Sequence, residues 1–348
     1  MSDIDPQLLL LRRQYLQLFE PDFLAWPPSK FLKGADVQIW LYKNLFDPTR
    51  NSRIPPERYQ MRVLKKLVDK IEKAIEDPDE DEISDEIMTC LTSFMSRGVP
   101  SEFDAALEKA YVTFTCIPEA ADLRDSYENA PDPTITLLER RHLISGSRTT
   151  GFRTWEASLH LGSYLLTRDG SRLVRGKNVF ELGAGTGFLS ILLAKHLQAE
   201  YVTTTDGDGG VIESLKENLS LNNLEDQQRV RTETLRWGHD LRGTWVEDDC
   251  ATHPYDVVIG ADITYDKVAI SALVSTLQSL FDMRPRLRVI IAGVVRNAET
   301  FQTFRDECAR YHFTVEDVNF EPKPIRQQKA LFYAAAVPMR ILSISCPC

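Results

Sequence analysis

The sequence has little of what marks several whole classes of protein. Six cysteines, Cys90, Cys116, Cys250, Cys308, Cys346 and Cys348, are scattered over 348 residues. No C-x-x-C pair occurs, so neither a disulfide framework nor a zinc knuckle is expected. Cys346-Pro-Cys348 has no histidine beside it, and the histidines show no ligand spacing, so no metal site is expected. Apolar runs are short. Val179–Leu182 and Val289–Val295 fall well below the roughly 20 residues a bilayer requires. Leu8–Leu11 is too brief for a signal-peptide core and follows acidic residues. No membrane role is expected, and the thiols suit a reducing, cytoplasmic setting. Positive charge is also in deficit. Lys and Arg number 41 against 51 Asp and Glu, a net of −10. A protein that grips phosphate backbones gains from a basic face. Direct nucleic-acid binding is therefore disfavoured, while a basic protein partner is compatible.

What is present is ordinary for a globular chain: 43% hydrophobic and 26% charged residues. At roughly 100 to 200 residues per domain, the length implies two domains, or one with an appendage. Residues 1–130 read as an α-helical accessory domain. Leu8, Leu11, Tyr15, Leu18 and Phe19 form one apolar stripe at helical spacing. Val37, Trp40, Leu41 and Leu45 form a second, and Tyr59, Val63, Leu64, Leu67, Val68, Ile71 and Ile75 a third. The acidic block from Glu76 to Glu86 reads as a solvated linker or loop. Leu91, Phe94 and Met95 resume an apolar face. Asn129-Ala-Pro-Asp-Pro133 is the expected boundary, because prolines that close together disfavour helix. The helical part carries no catalytic constellation, so its role is structural or lies in recognising a macromolecular substrate.

Residues 131–348 have a different rhythm. Strands are expected at 177–182, 201–205, 230–235, 255–261, 287–294, 312–318 and 330–337. Helices are expected between them at 188–197, 211–221, 268–281 and 298–310. Strands separated by helices imply a mostly parallel sheet covered on both faces, wound by right-handed crossovers. Such sheets bind ligands beyond the carboxyl ends of their strands, at the switch point. Residues just after the first four strands should therefore share one crevice.

Those residues carry chemistry. Glu181-Leu-Gly-Ala-Gly-Thr-Gly187 follows the first strand, and glycines let the backbone turn sharply and approach a ligand closely. A dinucleotide fingerprint places its third glycine one residue later, which disfavours an NAD-linked enzyme. Asp206 ends the second strand, where a carboxylate can accept from both hydroxyls of a ribose. Asp208 is the alternative, deeper in the loop.

A G-x-G-x-G turn preceded by Glu is what class I S-adenosylmethionine methyltransferases carry, and four segments together resemble the family-16, seven-β-strand protein methyltransferases. They are Gly151-Phe-Arg-Thr-Trp-Glu-Ala157, the Glu181–Gly187 loop, Leu235-Arg-Trp-Gly238 and Asp262-Ile-Thr-Tyr265. The resemblance covers residues 140 to 340. It implies a Rossmann-like, seven-stranded α/β sheet sandwiched by helices, with the helical domain in front. Within that family the chain most resembles the subgroup that methylates a lysine of eukaryotic elongation factor 2, through its long helical extension and its Arg153–Ala157 wording.

The resemblance also implies roles. Trp155 packs against the cofactor S-adenosyl-L-methionine, beside Glu181, Gly183, Ala184, Gly185 and Gly187. Asp206 holds the ribose, Trp237 lies along the adenine and Ala261 offers backbone. Arg236 stands where relatives often have Asp, which removes one adenine contact. Asp262 and Tyr265 face the substrate, with Asp262 orienting the amine. The proton leaves through water, assisted by Tyr265 or Asp262. The rival reading of Asp262 is a helix N-cap. Asp-Pro-Pro-Tyr and Asn-Pro-Pro-Tyr are absent, which disfavours a nucleobase or glutamine substrate. The expectation is a monomeric protein-lysine methyltransferase acting on elongation factor 2. The alternatives are another protein lysine, a small amine, or a non-catalytic binding module.

Overall fold

A computed structural model describes residues 4–77, 81–97, 108–119, 132–140, 150–225 and 228–347. The chain divides into two units, residues 1–115 with 136–145, and residues 116–135 with 146–348. Three residues of the expected Asn129–Pro133 boundary, together with Cys348 and part of the acidic block, lie outside the described residues.

The N-terminal unit is built on helices. Asp5 accepts a hydrogen bond from the Gln7 amide and Pro6 occupies the first turn, which starts the helix Pro6–Leu16. The helix Ala35–Leu41 runs into a wider turn over Tyr42–Phe46. The helix Glu57–Glu72 buries Val63, Leu64, Leu67, Val68 and Ile71 along one face. These pack with Leu11, Tyr15, Leu32 and Leu41 into a single core. Buried glutamines hold the irregular backbone between helices. Gln14 accepts from the Ala25 amide at 2.6 Å. Gln38 donates to the Glu82 carbonyl at 2.9 Å and accepts from the Ser84 amide at 2.8 Å. Asp81 meets Lys33 at 2.6 Å. The described part of the acidic block is thus pinned, and Asp85 and Glu86 open the helix Asp85–Arg97, where negative charge suits the dipole.

Among the described residues of the first 130, one element is not helical. Strand β1, Lys109–Thr115, pairs with β2, Thr134–Arg140, in a two-stranded sheet. Ala110, Val112 and Phe114 place apolar side chains on one buried face at alternate positions, and Thr113 and Thr115 are buried on the other. The β-branched and aromatic residues of Ala-Tyr-Val-Thr-Phe-Thr carry that period-two signal.

The second unit holds a seven-stranded sheet of β3 (Asn178–Leu182), β4 (Tyr201–Asp206), β5 (Val230–Thr234), β6 (Val257–Ala261), β7 (Arg288–Val294), β8 (Thr314–Asp317) and β9 (Met339–Ser345). Its order is β5-β4-β3-β6-β7-β9-β8. The strands from β5 to β7 are parallel, while β9 is antiparallel to both β7 and β8. After β3 the chain winds outward through β4 and β5, then returns to place β6 on the other side. The switch point therefore lies between β3 and β6. The central strands are buried on both faces, as at Val179, Phe180, Val258 and Ile259, because helices cover both sides. The sheet ends in charge. At β8, Arg305 donates to Asp317 at 2.6 Å, and at β5, Arg231 donates to Glu233 at 3.1 Å.

The last strand is not where the sequence reading puts it. Residues 330–337 are irregular, with Leu331 at a φ of 48°. Pro338 follows them, and β9 begins at Met339. The apolar run Leu331–Tyr333 is buried outside the strands, whereas Met339, Ile341, Leu342 and Ile344 supply the strand's buried positions. Three helices were also not anticipated, at Glu156–Leu165, Arg168–Val174 and Trp245–Thr252.

Candidate active site

A cavity of about 510 Å³ opens at the carboxyl ends of β3, β4, β5 and β6. That volume is within the roughly 300–1,000 Å³ that small-molecule sites occupy. Its floor is the turn after β3. Gly183 and Gly185 adopt φ of 66° and 55°, a left-handed conformation that disfavours side chains. A Cβ on Gly183 would meet Ile263 Cγ2 at 2.6 Å. Gly151 backs the turn from behind, where a Cβ would lie 2.9 Å from Val211. Thr154 and Thr186 join hydroxyls at 2.7 Å, and Asn218 donates to the Thr186 carbonyl at 2.9 Å. The segment before the sheet is thereby tied to the glycine turn.

Asp206 sits at the end of β4 with both carboxylate oxygens engaged by backbone. Oδ2 accepts from the Gly185 amide and Oδ1 from the Asp208 amide, each at 3.1 Å. Burial nevertheless holds its pKa above the ordinary carboxylate value, against the pull of those amides. Asp208 is committed elsewhere. It caps the helix Gly209–Leu221, accepting from the Gly210 and Val211 amides at 2.7 and 3.2 Å.

Trp155 and Trp237 line the cavity, as do Ala184 and Ala261. Trp155 donates its ring N–H to the Thr150 carbonyl at 3.0 Å. Arg236 is exposed at the rim. Two expected cofactor residues do not reach the wall. Glu181 is buried in β3, where its carboxylate accepts a short hydrogen bond from Ser190. Burial raises it to about 8 despite that donor. Gly187 starts the helix Phe188–Lys195 at a φ of 83° and packs against Leu215. Both shape the turn from below.

Asp262 follows β6 at a φ of 55°, with its amide bonded to the Ala292 carbonyl at 2.8 Å. The helix Lys267–Met283 is capped by Asp266, so Asp262 is not its cap. Burial raises the Asp262 pKa, and Arg296 opposes that rise. Tyr265 is 58% exposed at the mouth, its hydroxyl 3.5 Å from that of Thr150. Arg296 is the residue that sequence reasoning missed. It lies just past β7, lines the cavity and donates to Asp262 Oδ2 at 3.0 Å. The strand-end rule, applied to the fifth strand as well as the first four, would have found it. Among the described residues no group of three or more His, Cys, Asp or Glu side chains is placed to hold a metal ion. Among the same residues no helix is long and apolar enough to cross a membrane.

The lysine methyltransferase family matches residues 141–307. The chain is 43% identical to protein-lysine N-methyltransferase EFM3 of Chaetomium thermophilum over 98% of each chain. It is 33% identical to protein-lysine N-methyltransferase EFM3 of Saccharomyces cerevisiae, over 63% of this chain and 68% of that protein. It is 31% identical to the human protein-lysine N-methyltransferase EEF2KMT, over 61% of this chain and 64% of that one. The crevice thus lies in a chain whose likeness to an enzyme of this kind runs nearly end to end, and the protein belongs to the lysine methyltransferase family as a protein-lysine N-methyltransferase.

Proposed function

We propose that this enzyme binds S-adenosylmethionine in the cavity over β3 and β6 and methylates a lysine of elongation factor 2. One observation carries the reading: Asp206, two tryptophans, a left-handed glycine turn, Asp262 and Tyr265 all face one 510 Å³ space. The residues fit the cofactor. Asp206 lines the cavity, and a carboxylate with about four lone-pair sites can accept a ribose hydroxyl in addition to its backbone amides. Trp237 offers an aromatic face for an adenine. Gly183, Ala184 and Gly185 bring backbone to the methionine end. Glu181 and Gly187 act indirectly, by fixing that turn.

When bound, S-adenosylmethionine supplies a methyl group on a sulfonium, a leaving group that is already activated. The chain's task is then alignment and electrostatics. A lysine must arrive neutral, although its unperturbed pKa is about 10.4. Asp262 accepts a hydrogen bond from the amine and turns its lone pair toward the methyl. Tyr265 flanks the amine at the solvent boundary.

Elongation factor 2 as substrate is supported by the four-segment resemblance and by the likeness to the protein named EEF2KMT. The N-terminal unit takes part in recognising that protein. The test incubates the enzyme with radiolabelled S-adenosylmethionine and a cytosolic extract. A single labelled band at the size of elongation factor 2, mapped to lysine, is expected. A labelled band of another size would retire this substrate and keep the enzyme class.

A further inference from the structure

The carboxylate assigned to the substrate amine already has a cation on it. Arg296 Nη2 lies 3.0 Å from Asp262 Oδ2. The Arg296 side chain is 47% exposed and that of Asp262 only 9%, so the guanidinium stands at the mouth with the carboxylate behind it. The guanidinium has other neighbours as well. Its carbon lies 5.5 Å from the Trp155 ring centroid, a cation–π distance. Glu156 Oε2 is 4.0 Å away. Arg153 lies 5.1 Å from the same ring and 3.8 Å from Glu156. Asp262 is thus faced by Arg296 from the loop after β7, by the Val294 amide at the end of β7, and by Glu156 from the start of the helix Glu156–Leu165.

We propose that Arg296 is a positioning residue that balances the charge of Asp262, so that the pocket takes the substrate lysine as a neutral amine. This rests on the function proposed above. A lone carboxylate beside a lysine stabilises the ammonium, which is the unreactive form. A guanidinium on Oδ2 cancels that attraction, and a guanidinium does not lose its proton. A carboxylate has about four lone-pair sites, so beside Arg296 and the Val294 amide Asp262 can accept one N–H of the amine, which points the nitrogen lone pair at the methyl. The proton of the ammonium goes to water before the amine docks. In transfer the N–C bond forms as the C–S bond breaks, and the electron pair stays on sulfur. The positive charge moves to the methylated nitrogen, and Arg296 then repels that cation and speeds its release.

The test compares Arg296→Gln and Arg296→Lys with the parent enzyme on elongation factor 2 from pH 7 to 10. Cofactor affinity is followed by calorimetry. With Gln, the rising limb of kcat should move up by about one pH unit, the low end of what one opposite charge does to a neighbouring pKa. At pH 7.5 kcat should fall about tenfold for that shift, with KM lowered because the ammonium now docks. Activity should recover at pH 10, the cofactor affinity should stay unchanged, and Lys should restore the limb. A loss of kcat equal at every pH, or a raised KM, overturns the proposal. A second readout needs no activity: the Asp262 carboxyl, followed by carbon NMR, should titrate higher in Arg296→Gln. An unmoved titration overturns the charge-balancing role even if kcat changes. A parent enzyme that transfers no methyl, with the Asp262 titration still shifted, would fault the proposed function and leave the Arg296–Asp262 coupling standing.

Discussion

The two walls of the cavity are made of different materials. The wall at β3 and β4 is backbone: left-handed glycines and an aspartate whose oxygens are held by main-chain amides. The wall at β6 and β7 is side chain: Asp262 and Arg296, with Trp155 from the segment before the helix Glu156–Leu165, joined by charge and ring contacts. Both aspartates are partly buried and both have raised pKa values. Their partners differ in mobility. Amides of a tight turn cannot leave, whereas a half-exposed arginine can swing. A wall fixed by backbone suits an invariant ligand. One built from mobile charge suits a group that must dock, react and depart.

Substitutions can break that contrast. The largest effect is expected from Asp262→Ala, which removes the acceptor from the mobile wall. Its kcat should fall by about 10²–10³, the scale of losing one preorganised electrostatic contact, while calorimetry finds cofactor binding little changed. Retained transfer would take Asp262 out of the catalytic role. On the fixed wall, Asp206→Ala should weaken cofactor binding by about 10–100-fold, because hydrogen bonds to a charged group contribute about 1.5–3 kcal/mol. An unchanged Kd would sink the ribose assignment. Gly183→Ala meets Ile263 at 2.6 Å and carries a side chain at a φ of 66°. The left-handed backbone alone costs about 1–2 kcal/mol, so the melting temperature should drop by several degrees. A wild-type Tm would mean the turn tolerates a side chain. Trp237→Ala should cost about 0.5–1.5 kcal/mol of cofactor binding, a severalfold change in Kd.

A pH dependence sharpens the contrast from below. Glu181 titrates near 8 when folded, against about 4.3 for an unperturbed glutamate. The folded state therefore holds a proton that the unfolded state has lost. That contribution is complete below about pH 4.3 and is lost as pH rises toward 8. Relative to Glu181→Gln, the parent enzyme should melt progressively lower across that window and level off above it. Parallel curves would show that Glu181 is not held protonated.

The same division governs what the sequence discloses. The fixed wall was legible because it is local. Glycines, β-branched runs and a terminal Asp stand in order between Glu181 and Asp206. The mobile wall was half legible. Asp262 and Tyr265 sit in one short motif, but Arg296 joins them only through the pairing of β6 with β7, which spans distant residues. Strand β9 was misplaced for a related reason. Its partner β7 lies some fifty residues earlier, so the nearby apolar run at Leu331–Tyr333 competed for the assignment. Strand β1 was missed because the helical stripes before it set the expectation for a period-two segment too short to announce itself.

The charged ends of the sheet have a consequence of another kind. A sheet's outermost strands expose backbone that can recruit a foreign strand, which is how many folded chains begin to aggregate. Here β8 is only Thr314–Asp317 and ends in Glu316 and Asp317, while β5 carries Arg231 and Glu233. A strand arriving at either edge would have to displace an ion pair and bury like charges. The fold can thus keep a long hydrophobic sheet, and the crevice that the sheet creates, at cellular concentrations without offering either rim as a template.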